Sequence, residues 1–473
     1  MPLVEPVDTP RLADFGKVHF IAIGGAGMSG VASGFLAQGH VVSGSDQADS
    51  EILRELESQG AQVWVGQDAT HIGDVDTVVV STAIRPDNPE LVEAHRRGLP
   101  VLHRSVALAA LMEDKVVVSV AGTHGKTTTT AMCVAGLESV GTDPSYVLGG
   151  TIVSSGLGSH MGTDNVFIVE ADESDGSFRQ YPTNIAVITC IETDHLDTWG
   201  TAQAYRDGFA QFASRESIDT LIVNGDDEGA VDVREAVKAA GKKVVTYGRS
   251  TSCDLVISDV DLTGPVASAV FAYAGRKVRV RLSVPGVHNL YNGAAALLVG
   301  LALGANEGSA AMDDILAGIA SFTGTKRRFQ LVGEVESVSV VDDYAHHPTE
   351  VAATLASARE VAGTGRVLAC FQPHLYSRTL TFADEFGAAL AKADFAFVTD
   401  VYGAREDPVP GMTGELIVDA VSDHGGVVTY VPAYECLPAV VAAVAQPGDL
   451  VLTIGAGSIT TIGPKILEAL SHV

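Results

Sequence analysis

A short turn in the middle of the chain carries residues that could bind a phosphate chain. The sequence AGTHGKT (121–127) follows a β-branched strand and opens a helix. Backbone amides at a helix N-terminus hold phosphate oxygens, the Lys126 ammonium group supplies charge to the β- and γ-phosphates, and the Thr127 hydroxyl can ligate Mg²⁺. The spacing departs from the usual P-loop, because Gly122 stands two positions nearer the GKT. A plain turn is the alternative, but the pattern favours an ATP cradle made by Gly122, Thr123, His124, Gly125, Lys126, Thr127 and Thr128.

Acidic and histidine side chains follow the next two predicted strands. The run VEADESD (169–175) ends one strand, and ETDHLD (192–197) follows the other. Ligands bind where the carboxyl ends of parallel strands meet, and Mg²⁺ prefers oxygen donors while keeping several waters. Glu170 together with Thr127 is therefore the predicted magnesium pair, although a solvated acidic loop is the plainer alternative. His195 could bind a second metal ion or a phosphate, or be an ordinary hydrogen-bonded histidine.

A second glycine cluster lies near the N-terminus. The sequence GGAGMSG (24–30) contains G-x-G-x-x-G after a predicted strand, and the next strand ends at an aspartate. This pattern is typical of a turn that binds the diphosphate of a dinucleotide, but a UDP sugar presents the same diphosphate to the helix. A serine and threonine that close a later strand could add contacts. The predicted nucleotide-sugar residues are Gly25, Ala26, Gly27, Met28, Ser29, Ser45, Asp46, Ser81, Thr82 and His124.

The last third of the chain holds arginine, histidine and tyrosine side chains suited to anions and rings. Guanidinium groups bind phosphates and carboxylates, while imidazole and phenol rings hydrogen-bond or stack. Arg328 and Arg378 are the candidate anion ligands, and Asp343 and His346 or His347 are candidate general bases by their type alone. Just before this region, Asn289 is either a helix cap or, with Asn292, part of an adenine site. The remaining candidates for orienting an amino acid or phosphate are His346, His374 and Tyr376.

These residues need α/β architecture to hold them. Short β-branched runs alternate with helical stretches along the chain, as a parallel doubly wound sheet requires. The chain has 473 residues, which suggests about three domains. The predicted fold is a Rossmann-like parallel sheet over 1–112, a central P-loop-type ATPase domain over 113–322, and a C-terminal Rossmann-like α/β domain over 323–473.

Composition and charge exclude several classes of partner. The formal net charge is −28, which would repel a nucleic-acid backbone. The five cysteines are far apart and never form CxxC, which disfavours a disulfide framework and a zinc site. Neither an apolar leader nor a run long enough to span a bilayer is evident. We therefore expect a cytoplasmic protein with small-molecule substrates; the sequence indicates no oligomeric state.

Taken together and in order, the motifs identify a resemblance to a known family. GTHGKTTTT, EADESD, DHLD, GVHNLYN, GTKRRF, DDYAHHPTE and FQPHLYSRT, preceded by IGGAGMSG, resemble the Mur ligases, which build peptidoglycan precursors. The resemblance covers essentially the whole chain. It implies an ATP- and Mg²⁺-dependent ligase that joins L-alanine to the lactyl carboxylate of UDP-N-acetylmuramate through an acyl phosphate. It also implies that the first domain holds the UDP sugar, the second ATP, and the third the amino acid.

The resemblance also implies roles for individual residues. Lys126 and Thr127 would serve the phosphates and the first Mg²⁺, Glu170 would bind that metal, and His195 a second one. The asparagines would flank the adenine, and four side chains would reach the site from the third domain: Arg328, Asp343, His374 and Arg378. The sister enzymes have a carbamylated lysine soon after the DH segment. This chain has no lysine between Asp194 and Lys238, which fits the alanine-adding branch.

Three other functions compete with this prediction. A recycling ligase would attach a preformed peptide to the same UDP sugar. An NAD-dependent oxidoreductase would explain the N-terminal glycines but leave the GTHGKT turn without a role. A nucleotide-binding protein without turnover would keep the fold, although the phosphate, metal and arginine groups are all present.

Overall fold

The structure is a computed structural model that describes residues 3–304, 309–404 and 406–472. The chain forms two compact units. One comprises Met1–Ser258, Val270–Val280 and Tyr291–Phe322, and the other comprises Asp259–Ala269, Arg281–Leu290 and Thr323–Val473.

The first sheet is parallel throughout and has the strand order β3-β2-β1-β4-β5. This order places the turn after β1 beside the strand ends on either side of it, which is the usual ligand edge of such a sheet. Its strands and helices are β1 (Val18–Ile21), α1 (Ala26–Ala37), β2 (Val42–Asp46), α2 (Glu51–Ser58), β3 (Gln62–Val65), β4 (Thr77–Val80), α3 (Pro89–Arg97), β5 (Val101–His103) and α4 (Arg104–Ala110).

The central sheet has ten strands in the order β15-β14-β13-β12-β11-β10-β6-β9-β7-β8. Strand β6 runs parallel to both β9 and β10, so the turns after these three strands emerge at one edge. The elements are β6 (Val116–Ala121), α5 (Lys126–Glu138), β7 (Ser145–Val147), β8 (Ser159–His160), β9 (Val166–Glu170), β10 (Ile185–Ile188), α6 (Leu196–Trp199), α7 (Ala202–Ala213), β11 (Thr220–Asn224), α8 (Val231–Ala239), β12 (Lys243–Gly248), β13 (Leu255–Asp261), β14 (Ala267–Tyr273), β15 (Arg276–Leu282), α9 (Val287–Ala302) and α10 (Ser309–Ser321).

The third sheet has the order β16-β17-β21-β18-β19-β20, and only its edge pair β16–β17 is antiparallel. Two of its strands end at sequence motifs singled out above, with Asp343 closing β17 and Phe371 closing β18. The elements are β16 (Gln330–Val335), β17 (Val338–Asp343), α11 (Pro348–Ala362), β18 (Val367–Phe371), α12 (Tyr376–Thr381), α13 (Ala383–Leu390), β19 (Phe395–Val398), α14 (Glu415–Asp423), β20 (Val428–Tyr430), α15 (Leu437–Ala442), β21 (Leu450–Ile454) and α16 (Gly463–Leu470).

The inner strands are buried along their length because helices cover both faces of the sheets. Strands β1, β10, β18 and β21 are buried at every position. Among the described residues, no helix is both long and apolar enough to cross a bilayer.

The predicted fold class is confirmed, with three mixed or parallel α/β sheets. The β-branched run at His40–Ser43 predicts a strand, and the strand observed there is β2 (Val42–Asp46), which begins later because Gln38 and Gly39 form the turn that leaves α1. The domain boundaries at 112/113 and 322/323 stay a prediction.

Candidate functional site

The turn between β6 and α5 is shaped by two glycines. Gly122 has φ +136° and Gly125 has φ +82°, both in the region that favours glycine. A Cβ atom on Gly122 would lie 2.0 Å from Thr189 Oγ1. The backbone therefore runs directly against the end of β10, and α5 begins at Lys126 with its first amides facing the turn. The predicted strand, glycine turn and helix are confirmed here.

Lys126 is held over this turn by backbone and carboxylate oxygens. Its Nζ donates to the carbonyl oxygens of Gly122 (2.6 Å) and Thr123 (3.1 Å), and lies 2.8 Å from Glu173 Oε2. Burial opposes the charged form, but the charge of Glu173 and its hydrogen bond outweigh burial and raise the pKa of Lys126 above its usual value. The ammonium group is therefore charged at every physiological pH.

Thr127 and Glu170 meet beside the lysine. The Thr127 hydroxyl donates to Glu170 Oε1 at 2.9 Å, and the Gly149 amide donates to Glu170 Oε2 at 2.6 Å. These are the hydroxyl and carboxylate that the sequence paired as magnesium ligands. Both are hard oxygen donors at the end of the phosphate turn, so the pair fits Mg²⁺.

His195 lies beside the same Glu173 carboxylate that Lys126 contacts. Its backbone adopts a left-handed conformation with φ 53°, and its amide donates to Asp194 Oδ1 at 2.7 Å. The ring Nε2 is 3.6 Å from Glu173 Oε1 and 3.6 Å from Asp194 Oδ2. This strained backbone points the ring into the cluster of Lys126 and Glu173, where strain is typical of functional residues.

Glu173 is the residue that the sequence prediction missed. Its side chain is fully buried, and besides contacting Lys126 and His195 it accepts a hydrogen bond at its backbone carbonyl from Trp199 Nε1 (2.9 Å). Four acidic residues in the EADESD run look alike in the sequence. Their positions separate them: Glu170 is the last residue of β9, whereas Glu173 lies in the following turn and contacts Lys126.

The remaining predicted ATP residues divide between the two units. His124 Nε2 is 3.0 Å from Glu192 Oε2, and Asn292 Oδ1 accepts from the Thr129 hydroxyl at 3.1 Å beneath Gly125. Thr128 lies in the first turn of α5. Asn289 belongs to the other unit, where its Nδ2 donates to the Pro285 carbonyl at 2.7 Å.

The N-terminal glycine turn is organised by Asp46. The Gly24 amide donates to Asp46 Oδ2 at 3.0 Å, and α1 begins at Ala26 with Gly25 as its N-cap. Gly27, Met28 and Ser29 form the first turn of that helix, where anions bind favourably.

Serine and threonine side chains near this turn have protein partners. Ser45 is buried and donates to Glu90 Oε2 at 2.6 Å, so its hydroxyl is occupied inside the protein. Ser81 accepts the Ile84 amide in a turn, and the Thr82 hydroxyl lies 3.5 Å from Asp175 Oδ2.

In the second unit, Asp343 connects two neighbouring loops and helix α11 through hydrogen bonds. Its oxygens accept from the Phe329 amide (2.7 Å), the Ala345 amide (2.8 Å) and the Thr354 hydroxyl (3.1 Å). Burial raises the pKa of this carboxyl to about 6, although the charge of Arg328 opposes that shift. Asp343 can therefore change protonation near neutral pH.

Rings and an arginine contact one another in the loops of the same unit. The Arg328 guanidinium lies 5.1 Å from the centre of the Tyr344 ring and 3.8 Å from Glu350. His346 lies edge-on to His374 at 6.0 Å, and His374 stacks on Tyr402 at 5.8 Å.

Helix α12 supplies the last two predicted residues. Tyr376 opens the helix after Leu375, which has φ 68°, and Arg378 is 8% exposed. A Cβ atom on Gly403 would lie 2.7 Å from Tyr376 Cε2, so the ring packs on that loop. The candidates of this unit other than Asn289 thus lie on β17, on α12 and in the turns before β16, α11 and α12.

Comparisons with known proteins agree with this geometry. The model of the Mur ligase family, catalytic domain, matches residues 17–116, the Mur ligase middle domain matches 120–300, and the Mur ligase, glutamate ligase domain matches 327–457. UDP-N-acetylmuramate--L-alanine ligase of Cutibacterium acnes is 55% identical over 99% of both chains. The enzyme of the same name from Thermobifida fusca is 48% identical over 99% of this chain and 100% of its own.

A solved structure extends the likeness to the whole fold. The UDP-N-acetylmuramate-alanine ligase of Thermotoga maritima superposes with a TM-score of 0.82 at 29% identity, covering 96% of this chain and 98% of its own. With three family domains in sequence order and relatives aligned from end to end, the chain belongs to the Mur ligase family.

Proposed function

We propose that this protein is an ATP-dependent ligase that joins L-alanine to the lactyl carboxylate of UDP-N-acetylmuramate and releases ADP and phosphate. The observation that carries the proposal is the meeting of Lys126, Thr127, Glu170 and Glu173 at one strand edge. The choice of alanine rests on the names of relatives up to 55% identical over 99% of the chain. The recycling alternative finds no support among those relatives.

The first step is transfer of a phosphoryl group. A carboxylate is a poor electrophile, so one of its oxygens attacks the γ-phosphorus of ATP, the bond to the β-phosphate oxygen breaks, and an acyl phosphate and ADP form. Catalysis of this step is mainly positioning and charge neutralisation. Lys126 supplies fixed positive charge, and Thr127 and Glu170 would hold a Mg²⁺ ion, which neutralises phosphate charge when bound. His195 is the candidate ligand for a second ion.

The second step forms the amide. The free amine of alanine attacks the acyl carbon, phosphate leaves, and the nitrogen loses a proton. Arg328 and Arg378 are the proposed ligands for the amino-acid carboxylate and the transferred phosphate, since guanidinium groups bind both bidentately. Asp343 and His346 or His347 are the candidate bases, and His374 and Tyr376 would orient the reactants. We propose that Asn289 and Asn292 flank the adenine.

The same proposal divides the chain into a UDP-sugar domain (1–112), an ATP domain (113–322) and an amino-acid domain (323–473). The family matches at 17–116, 120–300 and 327–457 support this division. The scattered cysteines support a cytoplasmic compartment.

The decisive experiment mixes purified protein with UDP-N-acetylmuramate, ATP, Mg²⁺ and L-alanine. Formation of ADP and of the alanylated nucleotide in equal amounts is expected. Product only with a tripeptide acceptor would favour the recycling ligase, and UDP-sugar binding without phosphate release would favour a non-catalytic protein. NAD binding in a titration, with no ligase product, would favour the oxidoreductase.

A further inference from the structure

Arg104 joins two segments that the proposed reaction uses for different substrates. It opens α4 directly after β5, and its side chain is 16% exposed. Its Nη2 donates to Asp172 Oδ2 at 2.7 Å and lies 3.8 Å from Asp175 Oδ2. Both aspartates belong to the acidic segment that also carries Glu173, the partner of Lys126.

The other side of the guanidinium lies against the N-terminal glycine turn. A Cβ atom on Gly27 would be 2.8 Å from Arg104 Nη1, closer than real Cβ contacts. Gly27 is in the first turn of α1, so the absence of a side chain there lets the guanidinium approach the helix N-terminus. The glycine at this position is thus explained by the arginine.

Arg104 retains donors for a ligand. Within the described residues, its only direct hydrogen bond comes from Nη2, while Nη1 and Nε donate to no protein group. Burial opposes its charge, but Asp172, Tyr181 and Asp175 outweigh burial and raise the pKa of the guanidinium further above its usual value. A permanently charged fork beside a helix N-terminus is suited to a phosphate or diphosphate, because two parallel N–H groups can bind two oxygens.

We propose that Arg104 binds the diphosphate of the UDP sugar at the first turn of α1, and that Asp172 positions its guanidinium. The inference rests on the proposed function and adds a residue to its nucleotide-sugar site. Asp172, the partner of Arg104, and Glu173, the partner of Lys126, are adjacent in the chain. Through this pair, Arg104 would also help to set the distance between the diphosphate and the lysine that binds ATP. A purely structural link between α4 and the acidic segment is the competing explanation.

The test compares ligands that differ only in phosphate. Dissociation constants of UDP and uridine are measured for the wild type, Arg104→Met and Arg104→Lys, with uridine followed by ligand-observed NMR, which reaches millimolar constants. Arg96→Met is the matched control, since Arg96 lies on α3, is 70% exposed and pairs with Glu93. It removes the same charge from a neighbouring helix, α3, at an exposed position.

We expect Arg104→Met to weaken UDP binding tenfold or more and to leave uridine within twofold of the wild type. Arg104→Lys should fall between the two, and Arg96→Met should match the wild type for both ligands. Equal weakening of UDP and uridine, or unchanged UDP binding in both Arg104 variants, would overturn the role of Arg104. A wild type that binds UDP no better than uridine would instead count against the proposed function itself.

Discussion

Lys126 keeps its charge in an enclosed site because Glu173 lies 2.8 Å away. The lysine could be predicted from the sequence, since a glycine turn, a lysine and a hydroxyl residue are adjacent in the chain. Glu173 could not, because its partner is 47 positions away and its neighbours carry the same charge. Local motifs are therefore readable from the sequence, whereas pairs brought together by the sheet are not.

Replacing Lys126 by alanine should lower kcat by about a hundred- to a thousandfold, because it removes charge at the developing phosphoryl transition state. The rate of ADP release measures this effect. Lys238→Ala, an exposed change on α8, is the control and should keep the wild-type rate. A folded Lys126 variant with wild-type turnover would refute the role of the lysine.

Asp343 should make stability depend on pH. Burial raises the pKa of its carboxyl to about 6, above the unfolded value of about 3.9, so the folded chain binds this proton more tightly. The resulting stabilisation is complete below about pH 4 and is lost as the pH rises through 6, a change of about 3 kcal/mol.

Urea unfolding of the wild type and Asp343→Asn from pH 4 to 7 measures this contribution. The stability advantage of the wild type over the variant should shrink as the pH rises. An advantage that is constant over this range would contradict the prediction, and the exposed Glu336→Gln should show a constant difference.

At the scale of elements, β6 sets the position of the site. Its two neighbours in the sheet, β9 and β10, are followed by the acidic and histidine segments, which therefore lie beside the phosphate turn. The sequence predicted each strand from its own apolar run. It did not predict strands β12 to β15, because buried and more exposed positions alternate along them. In β15 (RKVRVRL), exposed basic residues alternate with less exposed ones, a period-two pattern that marks a sheet with one solvent-facing side.

Gly122→Ala should disturb the phosphate turn in two ways, by steric overlap of the new methyl group and by backbone strain. Its new methyl group would overlap Thr189 Oγ1, which lies 2.0 Å from the Cβ position. We expect ATP affinity to fall at least tenfold, measured by calorimetry. Gly141→Ala is the control for strain alone, since its φ is +83° and its Cβ position is open. Equal losses in the two variants would argue against the steric explanation.

Glu90 should stabilise the first sheet from its interior. It is fully buried on α3, accepts from the Ser45 hydroxyl, and lies 2.8 Å from His71 Nδ1 and 3.3 Å from His19 Nε2. Glu90→Gln should lower the free energy of unfolding by about 1–3 kcal/mol, because buried charged hydrogen bonds are lost.

The matched control is Glu93→Gln on the same helix, where the partner Arg96 is 70% exposed. That change should stay within about 0.5 kcal/mol of the wild type in urea unfolding. Comparable losses in both variants would show that helix composition, rather than the buried network, explains the effect.

At the scale of the molecule, the segment before the first strand is bound to the central part of the chain. The Val4 amide donates to the Asp175 carbonyl at 2.9 Å, Arg179 Nη2 donates to the Val4 carbonyl at 3.0 Å, and Gln180 exchanges hydrogen bonds with Val7. No sequence motif predicted this, because the contacts span more than 170 residues. The acidic segment is thus stabilised by the opening residues.

Removal of residues 1–8 should expose the bond after Arg179 to trypsin. That side chain is 7% exposed and loses its partner at Val4. Mass spectrometry of timed digests should show faster cleavage there, while cleavage after the exposed Arg249 proceeds at the wild-type rate. Unchanged cleavage after Arg179 would show that the segment does not protect this loop.

The ion pair between Lys126 and Glu173 affects the affinity that the site can have for a nucleotide. A triphosphate that reaches Lys126 must compete with the Glu173 carboxylate for its ammonium group. Nucleotide binding therefore exchanges one negatively charged partner of the lysine for another. The measured dissociation constant then reports the difference between two ion pairs. A weaker carboxylate partner would tighten nucleotide capture, and product release would be assisted by the return of the glutamate.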